Sequence, residues 1–186
     1  LENRQNFWGE NKMEQHGGVC DVLKAIYERR SVRNYTGEPV KREIILEALK
    51  AASWAPSGLN NQPWRFAIIW DPDLRDKIGS LTRYGHIIRN ASVAVAVFLD
   101  KDVSYDYIKD CQAVGACIQN FLLALHSMGL GAVWIGEILK NKEAVRETLG
   151  LPNNLELMAV VAIGHPASKN QTSTRKPLAE LIIFER

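Results

Sequence analysis

Apolar positions along this chain change period several times, and each change marks an element. From Val19 to Glu28 the apolar residues Val19, Val22, Leu23, Ile26 and Tyr27 fall at helical spacing, which predicts a short amphipathic helix. A turn segment, TGEPV, follows. A second helix is predicted over about 41–55, with Ile45, Ala48, Leu49 and Ala52 on one face, and Pro56 stops it because proline lacks the amide hydrogen and clashes with the preceding turn. RFAIIW (65–70), SVAVAVFL (92–99), GAVWI (131–135) and ELMAVVAIG (156–164) read as strands, and 72–81, about 104–128 and 142–149 as helices. The strands are apolar on both faces and alternate with helices, so the pattern predicts an α/β sheet covered by helices on each side. A last apolar run, LIIF (181–184), would be a strand remote from its sequence neighbours. Residues 1–17 are polar and poorly periodic, so a loose tail is expected there, with a single folded domain over 18–186.

Within the long helix, Ala113, Ala116, Cys117, Asn120 and Ala124 form a stripe of small residues. Small side chains let another helix approach closely. That partner is either a helix of the same chain or one of a second copy, and the residues alone leave both open.

Composition narrows the function classes. The 186 residues are enough for one domain that buries about 70% of its unfolded surface without a disulfide or metal staple. Formal net charge is +2, from 23 basic and 21 acidic side chains, which argues against broad binding to nucleic acid or a membrane surface. No apolar run reaches the length of a membrane span. Cys20, Cys111 and Cys117 have no CxxC spacing, and the four histidines form no HExxH. Sparse, odd-numbered thiols suit a reducing cytoplasm. No metal centre is expected.

Four stretches carry candidate chemistry. In RRSVRNY (29–35), Arg29, Ser31 and Arg33 share a face if the segment is extended. Two guanidiniums and a hydroxyl match a phosphate's demand for charge-assisted hydrogen bonds; the plain alternative is a basic helix end offsetting the dipole. APSGLNNQPWRF (55–66) supplies Ser57, Gly58 and three amides, Asn60, Asn61 and Gln62. Amides donate and accept, as reading the edge of a heterocycle requires, although a polar helix-to-strand loop would also contain Pro56, Gly58 and Pro63. GLGAVWIGE (129–137) ends a strand at Gly136, where a ligand can come close to the main chain. STRKP (173–177) places a basic pair in a polar loop, the usual setting of solvated charge. No GxGxxG, Walker loop or GxSxG elbow is present.

In this order and spacing, RRSVRNY, APSGLNNQPWRF, QNFLLALHSMGLGAVWIGE and RKPLAEL resemble the nitroreductase family of FMN-dependent oxidoreductases, over about residues 19–184. The resemblance implies an α+β nitroreductase-like sandwich, a central sheet flanked by helices, with a C-terminal strand swapped onto a partner in a homodimer and FMN in the interface. It also implies roles. Arg29 and Ser31 would hold the FMN phosphate with Arg30 beside them, and Arg175 would return to it late in the chain. Arg33 would face the flavin's pyrimidine side. Asn60, with Pro56, Ser57, Gly58 and Gln62 around it, would contact the ring from the partner protomer. The backbone of Ile135, Gly136 and Glu137 would face flavin N5. Residues 82–90, TRYGHIIRN, would shape part of the substrate mouth. Ser173 stands where many relatives carry a second basic residue, and the order Gly136–Glu137 reverses that of some branches.

The activity implied is electron transfer from NAD(P)H through FMN to nitroaromatic, quinone or similar acceptors, in a ping-pong sequence with no protein nucleophile. Sister branches that fragment flavin or dehalogenate reductively are the alternatives within the fold. A non-catalytic anion or nucleic-acid binder using the same arginines is the alternative outside it.

Overall fold

The computed structural model describes residues 21–186; the expectations for the 1–17 tail, for Val19 and for Cys20 lie outside the described residues. Its elements run α1 (Asp21–Glu28), α2 (Arg42–Ala52), β1 (Trp64–Ile69), α3 (Pro72–Ser80), α4 (Gly85–Asn90), β2 (Val93–Asp100), α5 (Tyr107–Ser127), β3 (Gly131–Ile135), α6 (Lys142–Thr148) and β4 (Leu155–Gly164). Each predicted strand through β4 appears within a residue or so of its expected bounds. Local chemistry sets several boundaries. Asp71 caps α3 by accepting a hydrogen bond from Leu74 N at 2.8 Å, with Pro72 in the first turn. Asp106 caps α5 in the same way, accepting from Lys109 N at 3.0 Å. Both carboxylates satisfy amides that have no partner inside the helix.

The sheet has the order β1–β2–β4–β3, and every neighbouring pair is antiparallel. Strands that are apolar on both faces would fit a parallel sheet equally well, because the pattern reports cover on two sides and says nothing of strand direction. All eight positions of β2 are buried. Val93, Val95, Val97 and Leu99 enter a core shared with α2 and α5, beside Ile45, Leu49, Phe121 and Leu125. Ala94, Ala96 and Phe98 enter a second core with Ile78, Ile88 and Val145 from α3, α4 and α6. The molecule is therefore an α+β sandwich with helices on each face of one antiparallel sheet.

Part of the small-residue stripe of α5 packs inside the protomer. Ala113 and Cys117 are buried and Ala116 and Ala124 pack against the same core, on the side where α2 lies along α5. Burial pushes the Cys117 thiol up to about 12, so it packs as a small apolar group.

The C-terminal run departs from expectation. Leu178–Glu180 form one 3-10 turn, and residues 181–184 pair with no strand among the described residues. Ile183 is 98% exposed and Phe184 72%.

Candidate functional site

The segment after α1 leaves the helix in extended form and lies along the sheet. Val32 N donates to Ala132 O at 3.0 Å, and Ser31 bridges Ala132 in parallel, which covers the outer edge of β3. Tyr35 bridges Pro166, and its hydroxyl lies 2.9 Å from Val32 O and 3.0 Å from Ala162 O. Two glycines permit this closeness. A Cβ on Gly131 would stand 2.7 Å from Val32 Cγ1, and one on Gly164 2.8 Å from Tyr35 Cδ1. With Val32 turned inward, Ser31 and Arg33 project the other way, as alternation along an extended chain requires.

They project into a cleft of about 550 Å³ lined by Arg29, Arg30, Ser31, Arg33, Asn170, Gln171, Thr172, Ser173 and Arg175. Two stretches more than 130 residues apart in sequence thus share one cavity. Burial lowers the Arg29 pKa from its ordinary value, and the charges of Arg175 and Arg30 lower it further. Like charges forced together in a partly desolvated cleft favour an anion between them. Arg30 Nε is buried without a hydrogen-bond partner among the described residues, while its NH1 donates to Tyr27 O and Arg29 O. Arg175 NH1 donates to Ser173 Oγ at 2.9 Å and to Thr174 O at 2.8 Å.

Arg33 also lines a second cleft of about 330 Å³, with Tyr84, Ile87, Val133, Trp134, Ile135, Gly136 and Glu137. One arginine therefore joins the basic cleft to the end of β3. Gly136 has a negative φ of −87°, so left-handed backbone is not the reason for glycine there. A Cβ at this position would meet only Trp134 Nε1, at 3.8 Å, so the packing of the chain itself leaves open space beside the backbone. Glu137 accepts a hydrogen bond from Thr82 Oγ1 at 2.6 Å and pairs with Lys140 Nζ. The hydrogen bonds from Lys140 and Thr82 hold its carboxyl below the ordinary carboxylate range.

The amide loop lies elsewhere. Pro56, Ser57 and Gly58 line a separate, open cleft with Tyr105, Lys109, Gln112, Ala113 and Ala116, which contains none of the arginines. A Cβ on Gly58 would stand 1.8 Å from Tyr105 Oη, so the glycine serves a close packing contact. Leu59, Asn60 and Gln62 have positive φ of 55°, 54° and 47°, a conformation that non-glycine residues hold only where the surroundings impose it. Here Ser57 Oγ accepts from Gln62 N at 3.0 Å, and Gln62 Nε2 donates to Asn60 O at 3.1 Å. Asn61 turns inward and donates to Asp110 Oδ1 at 2.8 Å and Val103 O at 3.1 Å. Of the three adjacent amides one is structural, and Asn60 and Gln62 are exposed.

Sequence reasoning passed over Asn170, Gln171 and Thr172, which line the basic cleft. Their signal was weak, since NQT reads as an ordinary polar loop. Trp134 reads as one position of a buried strand, yet it is 40% exposed in a strand otherwise buried. Tyr84 and Ile87 of the expected mouth segment 82–90 do line the second cleft, while nothing local signals the partner of Thr82.

The model of the Nitroreductase family matches residues 26–83 and 80–165. A curated relative from Archaeoglobus fulgidus, described as an NADH dehydrogenase/NAD(P)H nitroreductase, is 38% identical over 152 residues, 78% of this chain and 86% of its own. A crystal structure from Desulfovibrio desulfuricans, described as a nitroreductase in complex with FMN, superposes with a TM-score of 0.86 at 48% identity, over 91% of this chain and 99% of that one. One from Bacteroides thetaiotaomicron, described as an NADH dehydrogenase/NAD(P)H nitroreductase, gives 0.83 at 32% identity over 91% and 99%.

Proposed function

Because the chain belongs to the nitroreductase family of FMN-dependent NAD(P)H oxidoreductases, we propose that its two joined clefts hold one FMN and that a homodimer completes the site. The observation that carries this reading is the continuity through Arg33, from the Arg29–Arg175 cleft to Gly136. The residues fit the group. Arg30 offers an unpartnered buried N–H beside a concentration of positive charge, and the space next to Gly136 is unobstructed. Arg29, Ser31 and Arg175 hold the phosphate, for which guanidinium forks and a hydroxyl are suited. Arg33 places a cation on the pyrimidine side, and the main chain of Ile135, Gly136 and Glu137 borders the reactive edge.

Bound FMN supplies the redox chemistry, accepting hydride from NAD(P)H and passing electrons to a nitroaromatic, quinone or similar acceptor. The protein binds, orients and tunes. Its positive charge at Arg33 favours the reduced, more negative state of the ring. Donor and acceptor occupy the same open cleft in turn, so a ping-pong pattern is expected.

The dimer is supported by what one protomer leaves uncovered. Loop 56–62 stands apart from the arginines, so its Asn60 reaches a flavin only from a second copy. Trp54 and Leu59 are more than 80% exposed, and the apolar tail at Ile183 and Phe184 has no partner strand among the described residues. Apolar side chains left in water in such numbers mark an interface. We infer that the tail crosses onto the mate.

The test is a spectrum and mass of the chromophore released from purified protein, then anaerobic titration with NADH and NADPH. A yellow protein releasing FMN and bleached by a nicotinamide nucleotide is the expected result. A colourless protein that FMN does not reconstitute overturns the reading.

A further inference from the structure

The turn Thr82–Tyr84 joins α3 to α4 and is remote in sequence from β3, yet the two are tied together. Thr82 is buried, and its hydroxyl donates to Glu137 Oε2 at 2.6 Å while accepting from Tyr84 N at 3.2 Å. Glu137 Oε1 pairs with Lys140 Nζ and lies 3.8 Å from Arg83 Nε. A second tie runs alongside, Asn141 Nδ2 donating to Leu81 O at 2.7 Å. On its other side the turn has no room to retreat, since a Cβ on Gly85 would stand 2.1 Å from Gly79 O. The Arg83 guanidinium lies 5.0 Å over the Tyr84 ring. Tyr84 and Trp134, both partly exposed, line the cleft that ends at Gly136.

We propose that Glu137 is a positioning residue: it pins the Thr82–Tyr84 turn to the end of β3, so that Tyr84 and Trp134 select flat aromatic acceptors. This rests on FMN binding beside Gly136. Two aromatic side chains recognise a planar, electron-poor ring by offset stacking, which discriminates by flatness and width and not by hydrogen-bond pattern. Both oxygens of Glu137 are engaged by donors, and those donors favour the ionised carboxylate, so it has no proton to give at neutral pH. Its contribution is made through the turn.

The test has two arms. The first is hydrogen exchange of the flavin-free protein, followed at the peptide containing the Tyr84 amide. Thr82→Val and Glu137→Ala should each speed its exchange tenfold or more, with Thr82→Ser staying within twofold of wild type. The second uses FMN-loaded enzyme with a naphthoquinone as acceptor. Thr82→Val and Tyr84→Ala should raise acceptor KM fivefold or more, with the change falling on KM and not on kcat. Tyr84 is exposed, so its replacement leaves the fold intact even where a Thr82 variant is unstable.

Unchanged exchange in Glu137→Ala overturns the clamp, and an unchanged acceptor KM in Tyr84→Ala overturns the selection. A Glu137→Gln enzyme that loses kcat a hundredfold together with one limb of its pH profile, while Thr82→Val does not, overturns the positioning role in favour of proton donation. If wild-type protein takes up no FMN, the function proposed above fails, and the exchange arm still judges the clamp.

Discussion

Gly131 shows how an absent side chain places a charged cleft. Val32 packs where a Cβ would be, and the strand that carries Arg29, Ser31 and Arg33 sits in register because of it. Val32 is branched and buried, so it has no free rotamer into which to withdraw. Gly131→Ala should therefore cost about 1–3 kcal/mol by overpacking and also weaken FMN binding by tenfold or more. Denaturant unfolding and flavin titration on one variant check both effects. The proposed phosphate-holding role of Arg29 and Arg175 makes a simpler prediction. Arg29→Ala and Arg175→Ala should each weaken FMN by roughly 10- to 100-fold, the worth of a charge-assisted hydrogen bond, with little loss of stability in the flavin-free protein.

Asp110 is the residue whose pH dependence is plainest. It is fully buried and accepts from Asn61 Nδ2, Ser104 Oγ at 2.6 Å and Tyr105 N at 3.1 Å. Burial pushes its pKa up, and the hydrogen bonds from Ser104, Asn61 and the amides of Asp106 and Tyr105 more than reverse that, leaving it below the ordinary aspartate value. A depressed folded-state pKa stabilises above the unfolded value, near 4, and the stabilisation is lost as pH falls through the lower folded value. Asp110→Asn should thus unfold more easily at pH 7 and lose less further stability on acidification from pH 5 to 3. Parallel denaturant titrations at three pH values measure this. A variant with the wild-type pH slope would show that the acid limb belongs to other carboxylates.

At the scale of elements, the helix-to-strand loop and the C-terminal tail matter most. Loop 56–62 holds three non-glycine residues at positive φ, and the bonds to Ser57 and Asp110 over-determine that shape. Stored strain of this kind fits a loop that presents Asn60 outward in a fixed pose. The tail is the opposite case, apolar and unpaired. Chain ending at Pro177 should remain folded, because Leu178 to Phe184 add nothing to either core, and should shift from dimer to monomer with loss of flavin. Sedimentation of the truncated and full chains decides it; a truncated chain that stays dimeric removes the tail from the interface.

For the whole molecule, ligand and stability are linked. Free FMN at about 100 times its Kd should stabilise the native state by about 2.7 kcal/mol, which for a domain of this size is a rise of roughly 5–10 °C in Tm. The rise should saturate with FMN and shrink in Arg29→Ala. The proposed sharing of the site between protomers predicts that Tm also rises with protein concentration.

Most element types and their order were legible in the sequence because hydrophobic period is a local property, whereas the six-residue α4 is too short to declare a period and the apolar run 181–184 reads as a strand but forms none. Motif chemistry was legible for the same reason, since RRSVR and NNQ carry their donors side by side. Strand direction was not, because two-sided cover yields the same apolar run in a parallel and an antiparallel sheet. Nor was the division of labour among Asn60, Asn61 and Gln62, which depends on where a buried Asp110 lies, 49 residues from Asn61 along the chain. The tie between Thr82 and Glu137 spans 55 residues. The meeting of Arg29 with Arg175 spans more. Such pairs are set by sheet order and by the glycines at 131 and 164 that let one strand lie against another, and proximity in space between distant residues is a consequence of packing that no local pattern contains.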